Sequence, residues 1–156
     1  MIHYNQLPFG DVEEMNEAII KNWNSVIKPK DLVYHLGDFG IGKEEDLKKI
    51  RACLQGKICL VLGNHDFTVN QCLDLGFECC AHELTLEYKD HVYILTHNPD
   101  GLLHDAMGVC NIHGHTHGFR KFNGNYINVA LCAWDYKPVK FDQLLVEYRK
   151  YKRQKI

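Results

Sequence analysis

Apolar positions recur at Val12, Met15, Ile19, Trp23 and Val26, behind the acids Asp11, Glu13 and Glu14. That spacing and that charge bias predict a helix over 11–27, ended by Lys28-Pro29-Lys30. Residues 31–36 read as a strand running into Gly37-Asp38-Phe39-Gly40. A second helix is predicted over 43–54, with Leu47, Ile50 and Leu54 on one face. Residues 57–62 form a continuous apolar run of the kind shown by strands buried on both faces, and it opens into Gly63-Asn64-His65-Asp66. A short helix over 69–75 closes at Gly76. Segments 84–88 and 92–96 pattern as a hairpin around Lys89-Asp90-His91, and the second arm ends at His97-Asn98-Pro99. Further strands are predicted at 109–113, ending in Gly114-His115-Thr116-His117-Gly118, and at 126–131, after the turn Asn123-Gly124-Asn125. A terminal helix spans 141–152 and ends in basic residues.

Helices and strands alternate early, and strands dominate later. The order predicts an α/β fold of two packed sheets with helices outside. The length of 156 residues fits one domain over 1–156. No repeat, linker or low-complexity stretch divides it. Four strands each end in a loop rich in metal-ligand residues, and sites in α/β folds collect at the carboxyl ends of strands.

Composition narrows the classes. Net charge is −2, without the basic excess of a protein that coats nucleic acid. The basic run Arg149 to Lys155 is read first as a solvated helix end whose cations suit the helix dipole. Seven cysteines, at 53, 59, 72, 79, 80, 110 and 132, form no C-x-x-C pair. Their apolar surroundings and odd number predict buried, reduced thiols and a cytoplasmic setting. No apolar run approaches the roughly 20 residues that span a bilayer, so no membrane association is expected.

Read singly, the loop residues have ordinary explanations. Asp38 between glycine and phenylalanine is a turn residue, and a histidine such as His97 at a strand end is more often structural than a ligand. Gly63-Asn64-His65-Asp66 is more specific, with an amide oxygen, an imidazole that titrates near neutrality, and an acid able to orient that imidazole. In Gly114-His115-Thr116-His117-Gly118, the glycines let two histidines approach neighbouring centres. Taken together, the Asp, Asn and His donors suit borderline divalent ions such as Mn, Fe, Zn or Co rather than Mg or Ca. The absence of thiolates from these motifs argues against a structural zinc. His35 is held open as a neighbour of the site, His113 as packing beneath its loop, and His82, His91 and His104 as surface residues.

The ordered set Gly37-Asp38, Gly63-Asn64-His65-Asp66, His97 and Gly114-His115-x-His117 resembles the calcineurin-like metallophosphoesterases. Tyr34 to Phe39, and Asn128-Val129, Trp134 and Pro138-Val139, are similar to the short bacterial and phage members. The resemblance covers nearly the whole chain. It implies a four-layer α-β-β-α sandwich and a hydrolase that attacks phosphomonoesters or phosphodiesters with a metal-held hydroxide. It implies that Asp38 bridges two metals, that Asn64, His97 and His115 complete one shell, and that His117 serves the other. His65, with Asp66, would stabilise developing charge or protonate the leaving group. Phosphate esters would be the partners, nucleotides or nucleic acid among them.

The chain departs from that family at its start. The Asp-x-His motif that should precede Asp38 is absent, and residues 1–9 resemble the segment normally found just after that motif, so the first strand is expected to be missing. Manganese or a like ion would then fill one site, with only Asp38 and His117 left for the second. Three explanations compete: a truncated copy, which is favoured; a one-metal remnant; or a gap filled by a partner chain or by His3 or His35. The alternative function is a catalytically impaired metal-binding domain acting as an interaction module, and a homo-oligomer is expected where apolar sheet is left open. A second departure is Cys132, where members often carry an acid.

Overall fold

The computed structural model describes residues 8–99, 109–118 and 120–154. The first predicted helix is α1, Val12–Val26. Asp11 caps it, accepting from the Glu14 N–H at 2.8 Å, while the Glu14 carboxylate reaches back to the Gly10 N–H at 2.6 Å. These bonds satisfy donors that the first turn would otherwise leave unpaired. Strands β1, Leu32–His35, and β2, Lys57–Val61, then pair in parallel across α2, Glu44–Cys53. After α3, Val69–Asp74, comes β3, Cys79–Ala81, which pairs in parallel with β2. The sequence pattern did not predict β3, because three residues carry no readable alternation.

The second sheet comprises β4, Glu83–Tyr88; β5, His91–Thr96; β6, Cys110–His113; β7, Phe122–Asn123; and β8, Tyr126–Asn128, in the order β4-β5-β6-β8-β7. The predicted hairpin is β4–β5, with Tyr88 opposite His91. Its turn is only Lys89-Asp90, both left-handed at φ 48° and 61°, the hand that suits a twisted hairpin. His91, expected in the turn, is the first residue of β5. The strand predicted over 126–131 stops at Asn128, and residues 131–134 form a 3₁₀ turn instead. The Asn128 carbonyl accepts from Trp134 Nε1 at 2.8 Å, and its Oδ1 accepts from the Ala130 N–H at 2.9 Å, so local bonds replace the ladder. Helix α4, Phe141–Arg153, ends the described chain.

Alternation along β1 and β2 divides the core. Val33, Ile58 and Leu60 pack with Trp23, Leu47 and Leu75 of the helices on one side. Tyr34, Leu36 and Val61 join Leu95, Ile112, Ile127 and the α4 residues Leu144 and Leu145 on the other. Ile58, Leu60, Val61 and Ile127 are fully buried, each such side chain contributing about 1.5–3 kcal/mol. Helices α1–α3, the two sheets and α4 supply the components of the expected α-β-β-α sandwich.

One expectation is overturned. Cys59 and Cys79 form a disulfide, because the parallel register sets them side by side on neighbouring strands. Cys53, Cys72, Cys80, Cys110 and Cys132 are free. His82 and His91 lie at the surface, as expected. His3 and His104 fall outside the described residues. Among the described residues, no helix is long and apolar enough to cross a membrane.

Candidate metal centre

The loops after β1, β2, β5 and β6 meet at one place. The turn out of β1 is tight: Gly37 has φ 88°, and Asp38 itself is left-handed at φ 53°. A side chain at Gly37 would run into His97 Nδ1 and the Gly63 backbone, and one at Gly63 would run into the carboxylate and amide of Asp38. The two loops touch backbone to backbone, and glycine alone permits it.

Asp66 locks this contact. Its Oδ2 accepts from the N–H groups of Asp38 and Gly63, and its Oδ1 from that of Phe39, all at 2.8 Å. Among the described residues these bonds go to backbone donors of the two loops, and none joins Asp66 to the His65 ring. Asp38 in turn accepts from the His65 backbone N–H through Oδ1 at 3.0 Å, leaving Oδ2 free to face His97.

His97 is the hub. The ring is buried, and its Nδ1 donates to the Leu36 carbonyl at 2.7 Å. A carbonyl accepts only, so Nδ1 carries a proton, and Nε2 is the ring nitrogen turned toward the site. Nε2 lies 3.1 Å from Asn64 Oδ1, 3.3 Å from Asp38 Oδ2 and 3.0 Å from His115 Nδ1. His115 reaches there from a left-handed backbone, φ 54°. Ligand atoms of Asp38, His97 and His115 all lie within 4.8 Å of one another. Two oxygens and two imidazole nitrogens converge on one point. A divalent cation satisfies such a donor set, and it is the mixed oxygen and nitrogen set of borderline metals.

The other expected residues stand apart. His65 and His117 are exposed at the rim, and His117 lies outside the Asp38, His97 and His115 grouping. His35 faces the helices, its ring between Trp23 and Phe39 at 6.3 and 5.6 Å. Its buried Nδ1 has no hydrogen-bond partner among the described residues. Burial holds its pKa below the ordinary histidine range, against the opposing pull of Asp66. It is not a ligand of this cluster. His113 is buried beneath the histidine loop, its Nδ1 2.9 Å from the Gly114 carbonyl.

One residue of the site was missed. The Asn128 amide, buried at the end of β8, lies within hydrogen-bond distance of three carbonyls of the loop that follows His115. The available signal was a lone amide closing an otherwise apolar strand.

Comparison with known proteins places this geometry. The model of the calcineurin-like phosphoesterase superfamily domain matches residues 9–129. A protein of Methanocaldococcus jannaschii, itself uncharacterised, is 35% identical over 155 residues, covering 93% of this chain and 81% of that one. The crystal structure of a protein of unknown function from Aquifex aeolicus superposes with a TM-score of 0.68 at 26% identity, covering 88% of this chain and 86% of that one. A structure described as a novel archaeal phosphodiesterase shares the fold at a TM-score of 0.54 and 23% identity, covering 80% of this chain and 82% of that one.

Proposed function

Because the chain belongs to the calcineurin-like phosphoesterase superfamily, we propose that it is a metal-dependent hydrolase of phosphomonoesters or phosphodiesters, with Asp38, Asn64, His97 and His115 holding a divalent ion. The supporting observation is His97 Nε2 turned toward two oxygens and a nitrogen, while its Nδ1 is bonded to the Leu36 carbonyl. When bound, such ions neutralise charge on phosphoryl oxygens and make water nucleophilic near neutral pH. Mn, Fe, Zn or Co fit the donors.

The remaining roles belong to the chain's own groups. His65, exposed and following Asn64, can protonate a leaving oxygen. Asp66 keeps the Asp38 and Asn64 loops in register through three backbone bonds. His117 would be available to hold a second ion. Asn64, His65 and His117 are all exposed, so the site favours an ester reached from solvent, such as a nucleotide or nucleic-acid strand. A cytoplasmic setting and a single domain complete the proposal.

The test is metal analysis of the purified protein after reconstitution, alongside turnover of bis(p-nitrophenyl) phosphate. Bound Mn, Zn or Fe and turnover lost in Asp38→Asn and His115→Ala are expected; no metal taken up would sink the proposal. A second reading, a metal-binding interaction module without turnover, draws on His117 lying outside the cluster. It predicts one ion per chain, no turnover and a stable oligomer.

A further inference from the structure

The ligands explain what would hold an ion, but not what holds the histidine loop. His115 is left-handed, a conformation that costs a non-glycine residue about 1–2 kcal/mol. Beyond it the loop is irregular, tied within itself by the Thr116 N–H to the Gly114 carbonyl at 2.6 Å and the Gly118 N–H to the Thr116 carbonyl at 2.9 Å. A strained backbone persists only where its surroundings over-determine it.

Asn128 supplies that constraint. Its Nδ2 lies 3.1 Å from the carbonyl of Thr116, 3.3 Å from that of Gly118 and 3.2 Å from that of Arg120. Two N–H bonds are thus shared among three acceptors spread over five residues of loop. The amide cannot turn away. Its Oδ1 accepts from the Ala130 N–H at 2.9 Å, its backbone N–H donates to Lys121 at 2.8 Å, and its carbonyl is held by Trp134 Nε1 at 2.8 Å. At 4% exposure, water does not compete for these bonds.

We propose that Asn128 is a positioning residue for the metal centre, holding the loop so that His115 and His117 are presented before any ion arrives. The proposal rests on the metal reading above. It differs from a merely structural role in a way that a second buried amide exposes. Asn111 is fully buried and also donates through Nδ2, to the Ile94 carbonyl at 3.2 Å and to Thr96 Oγ1 at 3.1 Å. It ties β6 to β5 and makes no bond to the described residues of the histidine loop.

Asn128→Asp keeps the shape and the Oδ1 acceptor but turns an oxygen toward three carbonyl oxygens. Asn111→Asp inflicts the same chemical insult elsewhere in the sheet. Two readouts separate them: zinc or manganese affinity by calorimetry, and the ring-proton NMR signals of His115 and His117 in chelator, without metal. Asn128→Asp is expected to weaken metal binding by about 10–100-fold and to shift or broaden those ring signals. Asn111→Asp is expected to lower the melting temperature while leaving both readouts at wild type. Should Asn128→Asp not fold, Asn128→Ser, uncharged and too short to span the loop carbonyls, is expected to act in the same direction. Wild-type affinity and wild-type ring signals in the folded Asn128 variant, or the same losses in Asn111→Asp, overturn the proposal. A wild-type chain that takes no metal defeats the site reading instead, and the metal-free ring signals still decide whether Asn128 sets the loop.

Discussion

The Nδ1 of His97 donates to the carbonyl of Leu36 at 2.7 Å, and this one bond decides what the opposite edge of the ring offers. Leu36 is the residue just before the Gly37-Asp38 turn, so the strand that delivers Asp38 also fixes the tautomer of His97. A backbone carbonyl bound to the far nitrogen is how metal-ligating histidines are commonly oriented. Without a cation, a ring protonated at Nδ1 alone sets its Nε2 lone pair against the oxygens of Asn64 and Asp38, at 3.1 and 3.3 Å.

That repulsion leads to a two-sided prediction for Asp38→Asn. The amide keeps an acceptor for the His65 N–H and sets an N–H donor against His97 Nε2. In chelator the variant is expected to melt at or above the wild-type temperature. In the wild type, Mn or Zn at a hundredfold excess over its Kd adds about 2.7 kcal/mol, or roughly 5–10 °C in a chain of this size. That rise is lost in the variant. A metal-free variant far less stable than wild type counts against the crowding.

Asp66 makes a different prediction, since its carboxylate serves backbone donors rather than a ring. Asp66→Ala strands three N–H groups, at Asp38, Phe39 and Gly63. Bonds to a charged acceptor are worth more than neutral ones, and a loss of about 2–4 kcal/mol in urea unfolding is expected even without metal. Unchanged stability with turnover alone reduced would return Asp66 to the role of orienting His65.

How far the sequence carried this picture depends on what each feature needed. The helix α1 was legible because Asp11 and the spacing from Val12 to Val26 act locally. The four loops were legible because Asp38, Asn64, His97 and His115 each follow an apolar run. Strand β3 was not, since Cys79–Ala81 is a strand only by pairing with β2, and with it went the partner of Cys59. Asp66 and Asn128 announce themselves as polar residues beside the motifs, but their bonds go to backbone groups whose positions exist only after folding. The tautomer of His97 likewise depends on a carbonyl 61 residues away.

Gly63 tests the close approach of the loops. Its substitution by alanine sets a Cβ against the Asp38 carboxylate and amide, and the backbone has little room to yield because Asp66 ties both sides. The expected outcome is a folded protein destabilised by about 1–3 kcal/mol, with metal affinity reduced more than stability accounts for. Alanine at Gly118, where a Cβ meets nothing within 4 Å, serves as the control and is expected to bind metal far better than the Gly63 variant. Calorimetric titration of both compares them directly.

His35 gives the structure a pH dependence whose sign is set by its surroundings. Burial lowers its pKa in the folded state, with Asp66 pulling the other way and His97 adding to the lowering. The unfolded chain therefore binds the proton more readily, and stability rises with pH wherever that holds. The contribution is fully present above the unfolded value of about 6.5 and is lost as pH falls from there toward the folded pKa. At the steepest, one such group changes stability by about 1.4 kcal/mol per pH unit. His35→Leu, which fills much of the space between Trp23 and Phe39 without a titrating group, is expected to flatten the fall between pH 6.5 and 5. Urea unfolding of both proteins in chelator, at several pH values, measures the difference, which includes the coupling of His35 to His97. Parallel curves for the two proteins would show that His35 carries none of the pH dependence.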